Sequence, residues 1–176
     1  MADLLRVMWS LVLVVALTGG VLRGLDALPG WWLEVGRSGI RFDGIEALEG
    51  TIGRRLLQPA YFPDTLAWPP GRVVLDRRLP RAALLGFVRR ADGTEALRLW
   101  QAVEGDGGPP ALATLQGVGL HDVAVPLRDG EARLRTVRLP DGRVWDEMTF
   151  RRSGRWVVLH SMLPAEQTVR LADSLR

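Results

Sequence analysis

Residues 143–162 read RVWDEMTFRRSGRWVVLHSM. Val144, Met148 and Phe150 recur at even positions, while Trp145 takes the odd phase. Arg152-Ser153-Gly154 breaks the pattern with a turn signal, and Arg155–Met162 resumes as a second extended run in which Trp156, Val158 and His160 share a parity. A two-residue period on both sides of a Gly-containing break predicts a β-hairpin, because alternate side chains of a strand leave opposite faces.

The same grammar extends upstream. Strands are predicted over Arg72–Arg77, Arg81–Arg90 and Glu95–Val103, with Ala91-Asp92-Gly93-Thr94 as a turn. Leu97, Leu99 and Val103 share one phase, with Arg98 and Trp100 on the other. Glu104–Pro110 is an irregular loop, and Ala111–Gly119 fits either a strand or a helical turn. His121–Leu127 alternates through Val123 and Val125, Arg128-Asp129-Gly130 turns, Glu131–Leu139 is a further strand, and Pro140-Asp141-Gly142 turns again.

Two helices complete the pattern. Ile45, Leu48 and Ile52 fall at i, i+3 and i+7, with Asp43 and Glu46 at the spacing of a capping box. Pro164 suits a first helical turn, followed by an apolar stripe of Ala165, Thr168, Leu171, Ala172 and Leu175. The proline-rich run Gln58–Gly71, with Tyr61, Phe62 and Trp68, reads as an extended connection laying aromatics on the core. The expected fold class is therefore α+β: a meandering antiparallel sheet of about six or seven strands with one or two helices packed on one face. An N-terminal transmembrane helix precedes it. The expected division is residues 1–30 as anchor or signal segment, 31–42 as linker and 43–176 as the globular domain.

The anchor rests on Val7–Leu22, an uncharged run between Arg6 and Arg23. As a helix it would span about 24 Å, a little short of a ~30 Å hydrocarbon layer. Leu4 and Leu5 lengthen it on one side and Leu25, Ala27 and Leu28 on the other. Arg6 and Arg23 can snorkel toward headgroups, and Trp9, Trp31 and Trp32 sit where interfacial tryptophans gather. A cleaved signal peptide with a small-residue site near Thr18-Gly19-Gly20 and a buried core helix are the competing readings. The membrane anchor is preferred, with the domain outside the cytoplasm.

Charge excludes more than it identifies. The chain has 176 residues and a formal charge of +3, yet its pI is about 10.7. All 23 basic residues are arginine; lysine, asparagine and cysteine are absent. Losing lysine and asparagine together reads as codon composition, and arginine alone keeps the pI high. The 20 acids are interleaved with the arginines, so no nucleic-acid partner is expected. Zero cysteines exclude disulfides, thiolate metal sites and a Cys nucleophile.

No constellation points firmly to chemistry. His121, Asp122 and His160 could form a hydrolase or metal site only if two strands brought them together, and no metal-ligand spacing supports this. Asp146 and Glu147 are adjacent on a strand and face apart. No phosphate loop is possible without lysine, and no cofactor is expected. The candidate partner or ligand surface is Trp100 and Trp145, off the main aliphatic phase, with Arg133, Arg135 and Arg151. Arg138, Arg152 and Arg155 extend the basic strands.

Val144-Trp145, Gly154–Leu159, Met162-Leu163-Pro164 and Leu171-Ala172-Asp173-Ser174-Leu175 together resemble a group of small bacterial extracytoplasmic domains. The Pro59–Pro63 segment, following an amphipathic helix, is similar to that group's Pro-x-Tyr-Leu-Pro opening. These domains stand behind single membrane spans in uncharacterised proteins and anti-sigma-type regulators, and look like smaller relatives of periplasmic lipoprotein-sensing domains. The resemblance covers Asp43 to the C-terminus. It implies no catalytic residues, and the acyl-chain cavity of the larger lipoprotein carriers does not carry over to so short a sheet. The resulting expectation is a single-pass protein of the cytoplasmic membrane, a non-catalytic binding or sensor-type domain for an envelope protein or a lipid-like ligand. The alternatives are a structural accessory subunit of a membrane complex and, third, a hydrolase.

Overall fold

A computed structural model of the chain describes residues 39–77, 81–103, 108–110 and 113–176. The anchor expected over residues 1–30, with Arg6, Trp9 and Arg23, lies outside the described residues, as do Trp31 and Trp32 and most of the Glu104–Pro110 loop. Among the described residues no helix is long and apolar enough to cross a membrane. The described compact unit is Ser38–Arg176.

Among the described residues the fold is an eight-stranded antiparallel sheet with two helices. In chain order the elements are β1 (Gly39–Phe42), α1 (Ile45–Ile52), β2 (Arg72–Asp76), β3 (Ala82–Val88), β4 (Glu95–Ala102), β5 (Val118–Leu127), β6 (Gly130–Arg138), β7 (Val144–Arg152), β8 (Arg155–Ser161) and α2 (Ala165–Asp173). The expected count of six or seven is exceeded because Gly39–Phe42, inside the supposed linker, pairs with β2. The sheet is also not one meander. Its order β1-β2-β3-β4-β8-β7-β6-β5 joins two four-strand meanders through the β4–β8 pair, so the last strand closes the middle.

The hairpin expected over residues 143–162 forms. Met148 pairs with Leu159, Phe150 with Val157, and Arg152 with Arg155 across a two-residue turn. Ser153 and Gly154 both take positive φ, 50° and 74°, the geometry whose twist matches flanking strands.

One face of the sheet carries the main core. Phe87, Leu85, Leu99, Met148, Phe150 and Leu159 are buried there under Leu48 of α1 and Leu171 and Ala172 of α2. The proline-rich connection sets Phe62 tilted against Phe87 at 5.2 Å and stacks Trp68 on Phe87 at 5.9 Å, and Tyr61 lies under the Arg170 guanidinium at 4.1 Å. The capping box does not form. Gly44, in extended conformation, is the N-cap of α1 and provides no side-chain bond, leaving Asp43 one residue too early. Glu49 instead accepts the Leu56 N–H at 2.7 Å, tying the helix to the chain that leaves it.

The opposite face has its own smaller cluster of Leu115, Val137 and Trp145. Residues 113–117, which lead into β5, cross this face, and Gly117 lies so close to the Arg138 carbonyl that a Cβ would collide with it.

Candidate functional site

The sheet register explains the one described cleft. Ile40, Leu75, Ala83 and Gln101 form one cross-strand row on the helix-covered face. One step further along, the chain leaves β2 at Arg77 and enters β3 at Arg81, whose carbonyl accepts the Val103 N–H at 2.8 Å. Period-2 alternation sends Arg77, Arg81 and Val103 to the same face as that row. The end of α1 lies over them, contributing Thr51, Ile52 and Arg54.

The cleft so formed has a volume of about 570 Å³ and is lined by Ile40, Thr51, Ile52, Arg54, Leu75, Arg77, Arg81 and Val103. Its walls divide by chemistry. Leu75 and Val103 are buried at 5% and 7% exposure, and Ile40 and Ile52 are half-buried, giving an apolar floor. Arg54, Arg77 and Arg81 are exposed and form a cationic rim. Arg54 is steadied by donating to the Val103 carbonyl at 3.3 Å. Among the described residues no carboxylate lines the cleft. The C-terminal end of a helix carries a partial negative charge of about half a unit, which the Arg54 and Arg77 guanidiniums outweigh. Gln101, buried beneath, both accepts from Leu57 N–H and donates to Leu57 C=O at 2.7 Å, fixing the chain beyond α1 to β4.

The candidate surface residues lie elsewhere. Trp100, Trp145, Arg133, Arg135 and Arg151 all take the face opposite the main core, as their phase required. Trp145 is buried at 1% exposure and Trp100 is half-buried. Arg98 stacks over the Trp145 ring at 4.9 Å and Arg151 over Trp156 at 5.5 Å. Arg133 is neutralised by Asp122 at 2.6 Å, and that bond holds the Asp122 carboxyl below the usual carboxylate range. Arg135 pairs with Glu147 at 2.8 Å.

Glu147 is 4% exposed and organises this face. It accepts the Leu115 N–H at 2.5 Å as well as the Arg135 bond, holding the crossing chain down. His160, 2% exposed, does the same through its Nε2 and the Ala113 carbonyl. Burial, with help from Arg98, pushes the imidazole down to about 4 despite the Ala113 bond, so it is neutral at pH 7. Its Nδ1 and the indole nitrogens of Trp100 and Trp145 are buried without a hydrogen-bond partner among the described residues.

His121, Asp122 and His160 are not brought together. His121 is exposed on edge strand β5, with β6 and β7 between it and β8, and Asp122 is committed to Arg133. Asp146 and Glu147 face apart, Asp146 accepting from the Thr136 hydroxyl at 2.7 Å on the side away from Glu147. Among the described residues no group of three or more His, Asp or Glu side chains is placed to hold a metal.

The cleft was missed by the sequence reading. Arg77 and Arg81 were visible only as strand ends, and Ile40 and Arg54 only as linker and helix tail. Their meeting depends on β1 pairing with β2. No family model, no curated protein and no solved structure matches the chain.

Proposed function

We propose that the chain is a non-catalytic binding or sensor-type domain of the cell envelope, held to the membrane by residues 1–30 and taking its ligand in the arginine-rimmed cleft. The observation that carries this reading is the cleft itself, a concave site of small-molecule size with an apolar floor and a few convergent polar groups. Among the described lining residues Thr51 is the sole hydroxyl, and no described histidine or carboxylate stands beside it to act as a base. The resemblance to extracytoplasmic domains behind single spans points to the same place in the cell.

The test is native mass spectrometry of the full-length chain released from membranes. A small molecule retained by the parent and lost from Ile52→Trp, which fills the cleft, is the expected result; a bare parent chain overturns the reading.

A second reading, an accessory subunit of a membrane complex, is favoured by β5. This edge strand is exposed along nearly its whole length, with Val118 at 67% and Val123 at 51% exposure. Unpaired strand edges are templates for another chain. Stoichiometric co-purification of a membrane protein, abolished by Val123→Lys but not by Ile52→Trp, would establish this reading instead.

A further inference from the structure

We infer that the ligand of the cleft is a single-chain amphiphile with an oxyanion head, a phosphate monoester being the best match. This rests on the cleft being a binding site, as proposed above. The argument is the division of the lining. A free inorganic anion would need only Arg54 and Arg77, and would leave Ile40, Ile52, Leu75 and Val103 as an unused apolar floor beside them. A neutral hydrocarbon would use the floor and leave the Arg54 and Arg77 cations unused at its mouth. An amphiphile uses both, with its chain along the buried Leu75 and Val103 and its head among the guanidiniums.

The arginines suit that head for a physical reason. A guanidinium presents paired N–H donors in a planar fork that matches phosphate oxygens, and it is less strongly hydrated than an ammonium. Arg77 has no ion-pair partner among the described residues and sits at the open end of β2, so its fork is available to a ligand. Arg54 gives one nitrogen to the Val103 carbonyl and keeps other donors. Because Val103 forms part of the floor, that bond ties the head-binding group to the chain-binding surface.

The head could belong to a free amphiphile or to an anionic lipid still in the bilayer, and the experiment separates these. Full-length chain in phosphatidylcholine nanodiscs is titrated calorimetrically with octyl phosphate, inorganic phosphate and octyl glucoside, with empty discs as blank. Octyl phosphate should bind at least tenfold more tightly than either of the others. Arg77→Gln, an exposed change outside the core, should weaken octyl phosphate roughly tenfold, as expected for one charge-assisted bond, and leave octyl glucoside unchanged. Loss of octyl phosphate binding on adding phosphatidylglycerol to the disc assigns the head to a bilayer lipid. Retention assigns it to a free amphiphile. Equal binding of octyl phosphate and inorganic phosphate, or no effect of Arg77→Gln, overturns the inference. If octyl phosphate fails to bind while native mass spectrometry still finds an Ile52→Trp-sensitive adduct, the ligand class is wrong and the binding-domain reading stands. If neither is seen, both fall.

Discussion

At the scale of single residues, the second face of the sheet contains side chains whose burial and chemistry disagree. Trp145 is among the largest fully buried side chains, yet its indole N–H has no partner among the described residues. An unsatisfied buried donor offsets part of what its ring contributes. Trp145→Phe should therefore change urea stability by less than about 1 kcal/mol, because it removes the orphan donor along with some packing. Trp145→Ala should cost about 3–5 kcal/mol through the cavity it leaves. Equal losses in the two variants would show that the N–H is in fact satisfied.

His160 makes a pH prediction at the same scale. Its folded value of about 4 lies below the ordinary 6.5, so between these limits the unfolded chain binds more protons than the folded one. Its contribution to stability is complete above pH 6.5 and is lost as pH falls toward 4, by a total on the order of 3 kcal/mol. Chemical denaturation of parent and His160→Gln across this range should show the parent falling more steeply; parallel curves would remove the assignment. The sequence marked His160 as sharing a phase with Trp156 and Val158. It could not show that Ala113, from a stretch read ambiguously as strand or turn, would supply the carbonyl that orients the ring.

At the scale of elements, local pattern and long-range pairing contributed unequally to what could be read. Strands with clean alternation and a Gly-containing turn, such as β7 and β8, were legible from sequence because both signals are local. β1 was not. Its four residues sit between glycines and carry just Ile40 and Phe42 as apolar positions, too short a run to declare a period, and it becomes a strand because β2 offers it an edge. The cleft was illegible for the same reason, since Ile40 reaches it only through that pairing. A fragment beginning at Asp43, the boundary read from sequence, should therefore be less stable than one beginning at Ser38. Losing the partly buried Ile40 and Phe42 should cost about 2–4 kcal/mol in urea; fragments of equal stability would show that β1 adds nothing. The crossing chain gives a sharper test. Gly117→Ala drives a methyl into the Arg138 carbonyl, backbone that cannot rotate away, and should destabilise by about 1–3 kcal/mol. Gly44→Ala, with open space around its Cβ, is the matched control, expected to lose at most about 1 kcal/mol through weaker capping.

At the scale of the whole molecule, the α+β class and the antiparallel character followed from the sequence, while the strand order did not. Nothing in the composition of β8 says that it will lie beside β4 rather than at an edge; its near-continuous burial, from Val157 through Ser161, is the mark of a central strand. Protection should follow this order. Native-state hydrogen exchange is expected to be slowest in β4 and β8 and fastest in β5 and β1, because opening an edge exposes little core. Faster exchange in β8 than in β6 would contradict the arrangement.

The placement of β8 also sets a timetable for the ribosome. By the time Ala102 has been polymerised, one side of β4 is complete and paired with β3, but its other side must wait while β5, β6 and β7 are made, since its partner starts at Arg155. At roughly 5–20 residues per second, that wait lasts on the order of seconds. During it Leu97 and Leu99 border a strand edge open to any neighbouring chain. A nascent chain of this design gains from being shielded until its eighth strand arrives, and a stall between β4 and β8 is where aggregation during synthesis should begin.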